Sequence, residues 1–389
     1  MTPAGPPAGF ALWALGFRPF YLLASVFSAA GIAVWAVQFL GWLPTGAYLQ
    51  GYLWHAHEML FGYTVAVVAG FLLTAVRAWT NQPTASGAPL MLLAALWVAG
   101  RILVLTPNAV AAAWVNAAFP VAVAVAIAVP LARSANRRNY FFAGLLVLMG
   151  GAVLAFHLAN QGAVSLPPRL GLLAGLDIVL FVMAVMGGRV VPMFTNNGVP
   201  GTNARRTPAT ERLALGSVLA LLAADLAQAP AAVIGVVALA AAVAHAARLW
   251  LWQPWRTVRT PLVWVLHAAY AWIVVHLALR ALSAAGLVGE SLALHALTLG
   301  AIGGLTIGMM TRTARGHTGR PLRADRFEIA AYGLVMAAAV VRVAGGIIVP
   351  QAHVATVVGS AVLWSAAFAI YAVRYWPVLT RPRLDGKPG

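Results

Sequence analysis

The chain has 389 residues, of which 62% are hydrophobic and only 8% charged, with a mean hydropathy of +0.87. A soluble domain carries about a quarter charged residues, so this chain cannot coat itself against water and reads as a polytopic membrane protein. It has no cysteine, which excludes disulfides, thiolate metal sites, thiol catalysis and covalent c-type haem attachment; any metal falls to His, carboxylate or Met.

Apolar stretches of about 20 residues, enough to cross a bilayer, recur along the chain. They predict helices near 17–41, 53–78, 88–106, 109–132, 140–162 and 170–195. A second set follows near 209–228, 230–250, 262–285, 289–313, 326–349 and 351–375. The expected fold is an all-α bundle of about twelve transmembrane helices. It forms a single integral membrane domain, 1–389, with short tails at 1–16 and 377–389. Turns at Thr106-Pro107-Asn108, Ala229-Pro230 and Val349-Pro350 separate paired spans. No Lys or Arg precedes Arg18, so the start lacks a signal-peptide n-region.

The net charge of +17 is explained by its placement. Arg77, Arg133, Arg137, Arg138, Arg205, Arg206, Arg212, Arg256 and Arg259 fall at or beyond the ends of even-numbered predicted helices. So do Arg312, Arg315, Arg320, Arg323, Arg326, Arg381, Arg383 and Lys387, while the opposite ends hold almost nothing basic except Arg169. By the positive-inside rule both termini are cytoplasmic, and no nucleic-acid partner is needed to explain the charge. Trp42, Trp54, Trp79, Trp250, Trp252, Trp255 and Trp376 sit at predicted helix ends, as an aromatic belt does.

Ionisable side chains within spans are costly and by default functional. The second predicted helix opens with the densest group, Trp54-His55-Ala56-His57-Glu58-Met59. Neutral imidazole is a metal ligand. On a regular helix, however, His55 and His57 point about 200° apart, so one metal takes both only if the helix begins after His55. The alternative is a pair of interfacial histidines bonded to water. His295 heads a small-residue stripe, Gly300-x-x-x-Gly304-x-x-x-Gly308, which lets another backbone approach closely. His353 reads as interfacial; His157 and His276 stay open between ligand and core histidine.

Arg101, Arg189, Arg280 and Arg342 lie inside spans, whose few carboxylates are chiefly Glu58 and Asp177. Arginine keeps its proton, so haem propionates, an anionic substrate or lipid headgroups would fill the shortfall. Arg280 and Arg342 are expected to snorkel outward. A second polar group lies toward the other face. It comprises Gly187-Gly188-Arg189-Val190-Val191-Pro192-Met193-Phe194-Thr195, where Pro192 should kink the last turn, with His267, Tyr270 and Trp272, and Gly316-His317-Thr318-Gly319-Arg320. His267 and His317 could meet at one depth; His245 reads as interfacial.

The run Trp54-His55-Ala56-His57-Glu58-Met59-Leu60-Phe61-Gly62 resembles the signature of the NnrS family. So do Gly16-Phe17-Arg18-Pro19-Phe20, the stretch Arg189…Pro192-Met193-Phe194-Thr195, the set His267…Tyr270…Trp272, and the run from His295 through Leu322. The resemblance covers most of the chain. It implies a multispan protein of the cytoplasmic (inner) membrane that contains haem b and copper and is linked to denitrification and nitric oxide stress. The family pattern covers His55, His57, Glu58, Arg101, Arg189, His267, His295, Arg312, His317 and Arg320; His157, His276 and His353 fall outside it.

The leading expectation is an oxidoreductase that reduces nitric oxide to nitrous oxide, drawing on an electron donor such as a quinol and embedded in membrane lipid. His55, His57 and His295 are the first candidates for its metal centre, with Glu58 and Arg101 as catalytic residues. His267 and His317, with Arg189 and Arg320 for propionates, are the second candidates, for a haem. Two rivals remain open. One is a secondary transporter or metal exporter, for which about twelve spans are equally natural. The other is a haem-based nitric oxide binder or sensor without turnover.

Overall fold

The computed structural model describes residues 9–43 and 47–387; the outermost parts of both expected tails, 1–8 and 388–389, lie outside the described residues. All regular structure among the described residues is helical. In chain order the helices are α1 (Phe17–Phe39), α2 (Gly51–His57), α3 (Val65–Thr80), α4 (Ala88–Leu103), α5 (Ala109–Arg133), α6 (Tyr140–Asn160) and α7 (Pro168–Gly198). Then come α8 (Pro208–Leu226), α9 (Ala231–Leu251), α10 (Pro261–Ala284), α11 (Glu290–His295), α12 (Gly304–His317), α13 (Arg326–Ile348) and α14 (His353–Thr380). Two π-helical segments, Glu58–Thr64 and Ala296–Gly303, join α2 to α3 and α11 to α12 into continuous rods.

Ten of these rods, not twelve, are long and apolar enough to cross a membrane among the described residues. The chain is a multi-pass helical membrane protein. The other two expected spans form helices where the sequence places them. However, α4 has only 16 residues. In turn, α8 carries Glu211, Arg212 and Asp225 within 19 residues, too much charge for an apolar span. Local chemistry sets the helix starts. The Asn108 and Thr207 side chains accept from the backbone N–H three residues on, and Asp325 with Glu328 forms a full capping box. Pro192 does not end α7, which continues to Gly198.

Contacts divide the chain into two compact units. The first comprises residues 1–175, 312–322 and 368–389; the second comprises 176–311 and 323–367. Lipid tails are as apolar as leucine, so helices in a bilayer associate through close packing, small residues and interhelical polar bonds. In the first unit α1 packs on α3, and α5 packs on α3, α4 and α6. Glycines set the approach: a Cβ at Gly70 of α3 would lie 2.9 Å from Phe20 Cβ of α1, and one at Gly150 of α6 would lie 3.0 Å from the Ala117 carbonyl of α5.

In the second unit α9 lies against both α8 and α10, and the Ala296–Gly303 segment against α10 and α13. The Gly300/Gly304/Gly308 stripe is covered by α10. Trp272 sits directly over Gly300, a Cβ at Gly304 would lie 2.6 Å from Ala269 Cβ, and one at Gly308 would lie 2.9 Å from Leu266 and Val265.

Candidate functional site

The densest buried polar network of the first unit is built around the π-helical turn that follows His57. A π segment inserts a residue into the α-helical register and recurs at functional sites. Here its onset presents two consecutive side chains, His57 and Glu58, to the interior, both buried. Arg101 of α4, Asn116 of α5 and His157 of α6 close around them, joined by Tyr48 from the segment preceding α2.

His57 Nδ1 lies 2.7 Å from Glu58 Oε1, and the Arg101 guanidinium donates to the same oxygen at 2.9 Å. A second Arg101 nitrogen donates to Asn116 Oδ1, while the Asn116 amide donates to the Ala112 carbonyl at 2.8 Å. On the other side of the ring, His57 Nε2 meets His157 Nε2 at 3.0 Å, and His157 Nδ1 meets the Tyr48 hydroxyl at 3.2 Å. Phe61 and Phe156 pack against His57 with ring centroids 5.3 Å away.

These contacts fix the direction of every hydrogen bond. As a carboxylate Glu58 only accepts, so His57 carries its proton on Nδ1 and bares Nε2. His157 Nε2–H then donates to it, which leaves His157 Nδ1 to accept from Tyr48 O–H. Both rings are held in opposite tautomers with their Nε2 atoms converging. One buried cation faces one buried anion, the condition under which low-dielectric charges are tolerated. Glu58 Oε2 remains buried without a hydrogen-bond partner.

The glycine that ends the Trp54-to-Gly62 run has a packing role. A Cβ on Gly62 would fall on an Arg101 guanidinium nitrogen, and Trp97 Nε1 donates to the Gly62 carbonyl at 2.9 Å. Gly100 similarly gives way to Asn116, whose Oδ1 would lie 2.8 Å from a Cβ there.

The other sequence candidates fall elsewhere. His55 does not join His57: it points away and stacks on Trp35 with ring centroids 4.1 Å apart, as the helical angle between the two required. His295 belongs to the second unit, where its Nδ1 lies 2.6 Å from the Ser291 carbonyl. His267, also of the second unit, bonds through Nε2 to the Thr195 hydroxyl at 2.8 Å, and its Nδ1 is buried without a partner. Arg189 is half-buried on α7. In the first unit His317 packs on Phe17 and its carbonyl accepts from Arg383, while one terminal nitrogen of Arg320 is buried without a hydrogen-bond partner. Among the described residues no three His, Asp or Glu side chains gather as a metal site.

Several expectations are corrected. Arg280 and Arg342 do not snorkel; both are buried, Arg280 on Asp225 and Arg342 beside Ser291. His245 is buried and bonded within the protein: its Nδ1 lies 2.7 Å from the Tyr270 hydroxyl, next to an Arg248–Glu211 pair at 2.6 Å. Trp54 and Trp252 are buried rather than part of a belt, and Trp252 covers the Arg248 guanidinium at 5.2 Å. Tyr48 and Asn116 escaped the sequence reading as site residues, and His157, left open there between ligand and core histidine, joins the network. Asn116 left a signal, being an amide in the middle of an apolar span; Tyr48 left none.

The fold and this network define an all-helical, multi-pass membrane protein with a buried imidazole pair oriented by a carboxylate–guanidinium couple. No curated protein matches the chain significantly. The family model described as NnrS protein matches residues 11–383, nearly its whole length, and the chain belongs to the NnrS family.

Proposed function

We propose that this protein is a metal-dependent oxidoreductase of the cytoplasmic membrane that acts on nitric oxide, reducing it to nitrous oxide. The family membership supports the nitric oxide link. The observation that carries the metal reading is the convergence of His57 Nε2 and His157 Nε2, 3.0 Å apart, with each opposite Nδ1 tied to an oxygen. Metal-binding imidazoles are held in this way, one nitrogen toward the ion and the other locked by a carboxylate or hydroxyl. Imidazole donors suit copper; to hold it, His157 would move its proton from Nε2 to Nδ1 and donate it to the Tyr48 oxygen, which would leave both Nε2 atoms bare for the ion. Copper therefore fits this pair. A porphyrin does not, since its ring cannot pass between nitrogens this close.

For haem we favour His295. Its Nδ1–H is fixed by the Ser291 carbonyl, the arrangement in which the other ring nitrogen serves as the ligand, and it stands half-buried at the head of a π segment. His276 has the same backbone bond, to Ala293 at 2.7 Å, but is sealed at 1% exposure. Bound haem and copper would supply the one-electron chemistry.

The chain's own residues supply charge and protons. Two nitric oxide molecules, two protons and two electrons yield nitrous oxide and water, the electrons coming from a quinol-type donor. Glu58 orients His57 and offers Oε2 as a proton-carrying atom, while Arg101 holds that carboxylate in place and compensates its charge.

The test is metal analysis and optical spectroscopy of the purified protein, reduced, before and after anaerobic nitric oxide, with nitrous oxide measured. His157→Ala should lose copper yet keep the haem spectrum, and His295→Ala should lose the haem spectrum. Full copper in His157→Ala would remove the imidazole pair from the metal site. A stable nitric oxide adduct without nitrous oxide would reduce the protein to a binder, and protein devoid of haem would overturn the reading.

A further inference from the structure

The second unit buries a second ion cluster that the nitric oxide reading does not use. Asp225, near the end of α8, is held by Arg280 of α10, whose Nη2 lies 2.7 and 2.9 Å from its two carboxylate oxygens. Asp177 of α7 is buried near this pair, close enough for the Asp225 and Arg280 charges to act on it. All three are buried, Asp177 to 2% exposure, and Asp177 Oδ2 has no hydrogen-bond partner.

Charge arithmetic decides what this cluster lacks. One guanidinium faces two carboxyl groups, so two carboxylates would leave one uncompensated negative charge in a sealed, low-dielectric interior. Such a charge costs several kcal/mol even after the protein relaxes. The surrounding elements do not cancel it. On α9, His245 is engaged by Tyr270 and the Ala214 carbonyl. Arg248 of α9 is taken by Glu211 of α8, at 2.6 and 2.8 Å. On α10, His276 lies one turn before Arg280 with Nδ1 on the Ala293 carbonyl and Nε2 buried without a partner. The other charged residue of α7 in this unit, Arg189, lies 12 positions from Asp177, about 18 Å along the helix.

We propose that Asp177, Asp225 and Arg280 form a membrane-embedded proton site, in which the carboxyl pair takes up and releases one proton while Arg280 keeps Asp225 anchored. The ligand is a proton rather than a metal ion, because the guanidinium already occupies both Asp225 oxygens and leaves Asp177 Oδ2 as the one open acceptor. Proton uptake draws Asp177 onto Asp225 and ties α7 to α8; release leaves the two carboxylates to share Arg280 and loosens that tie. The inference stands independently of the nitric oxide reading. It gives the second unit the intramembrane carboxyl that proton-coupled membrane proteins use.

Infrared difference spectroscopy of the full protein in lipid nanodiscs, titrated with pH in sodium-free buffer, tests it. The expected result is a carboxylic C=O band that shifts on deuterium exchange and on carbon-13 aspartate labelling, and that fades as the pH rises. Asp177→Asn, nearly isosteric and able to donate to Asp225, should lack the band. Labelling of the unsubstituted protein keeps the test valid should that variant misfold. An aspartate band that is absent at every pH overturns the proposal, as does one that persists unchanged throughout. So does one that sodium displaces at fixed pH, since a cation would then be the ligand.

Discussion

Arg101→Met should destabilise the first unit far more than its exposure suggests, and a second substitution should partly restore it. Arg101 is 8% exposed and Glu58 1%. The guanidinium donates to Glu58 Oε1 at 2.9 Å and to Asn116, and it lies 5.6 Å from the Trp97 ring centroid. Methionine fills much of the same volume but leaves the Glu58 carboxylate with the His57 N–H alone. Removing one partner of a buried pair costs about 3–5 kcal/mol, at about 1.4 kcal/mol per factor of ten in the folded ratio. Glu58→Gln strands the opposite charge. The double variant strands none, and its amide oxygen still accepts from His57, so its loss should shrink to that of the missing hydrogen bonds, about 1–3 kcal/mol. The cycle therefore predicts a coupling of at least about 3 kcal/mol, at or beyond the upper end of measured pairs. Unfolding in mixed micelles with increasing dodecyl sulfate, followed by tryptophan fluorescence, measures all four proteins. Losses that simply add would refute the pairing, because each side chain would then contribute independently.

Gly62→Ala drives a Cβ into the Arg101 guanidinium and should cost about 1–3 kcal/mol of overpacking, read in the same unfolding assay. Gly188→Ala should behave alike, since its Cβ would fall on Arg248 and within 2.9 Å of Glu211 Oε2. Gly144→Ala, whose Cβ meets open space, should instead stabilise α6 by about 0.5–1 kcal/mol; a common sign for all three glycines would discredit the packing argument. Outside the membrane-spanning helices, a hydrogen bond from Arg383 holds the Asp385 carboxyl down at about 2. That contact is complete above the ordinary aspartate value of about 4 and is lost as pH falls toward 2, so the carbon-13 carboxyl shift of Asp385 should stay unmoved at pH 4.

The helices were legible because the bilayer imposes length and composition on each. The start of α1 at Phe17 and of α13 at Arg326 fall where the hydropathy places them. What failed were inferences from a residue's place along its own helix. Trp54, Trp252 and His245 all sit near helix ends, where an interfacial and a buried side chain look identical in sequence; only the neighbouring helix decides. The imidazole pair hid for the same reason. His57 and His157 are 100 positions apart, and the local pattern offered His55 as the nearer partner. The partner shortfall for arginine is smaller than the mid-span carboxylates imply, because Asp225, near the end of α8, satisfies Arg280.

The direction of the hydrogen-bond chain makes Tyr48 more than a lining residue. His57 must present Nε2 because Glu58 claims its Nδ1–H, and His157 must then donate from Nε2 because Tyr48 O–H occupies its Nδ1. Replacing Tyr48 by phenylalanine keeps the ring, which stacks on His157 with centroids 5.7 Å apart, but removes the only hydroxyl that specifies this tautomer. His157 is then free to shift its proton to Nδ1 and turn two bare Nε2 lone pairs against each other. Nitrogen-15 shifts of the two rings should therefore show a defined tautomer at His157 in the parent protein and a mixture in Tyr48→Phe. If the pair holds copper, His157 ligates through Nε2 only with its Nδ1–H donated to the Tyr48 oxygen, so losing that acceptor should weaken affinity about 10- to 100-fold, measured by competition with a chelator of known affinity. Unchanged tautomers in the variant would refute the directional chain, whatever the metal content. Changed tautomers with unchanged copper affinity would keep the chain and separate it from metal binding.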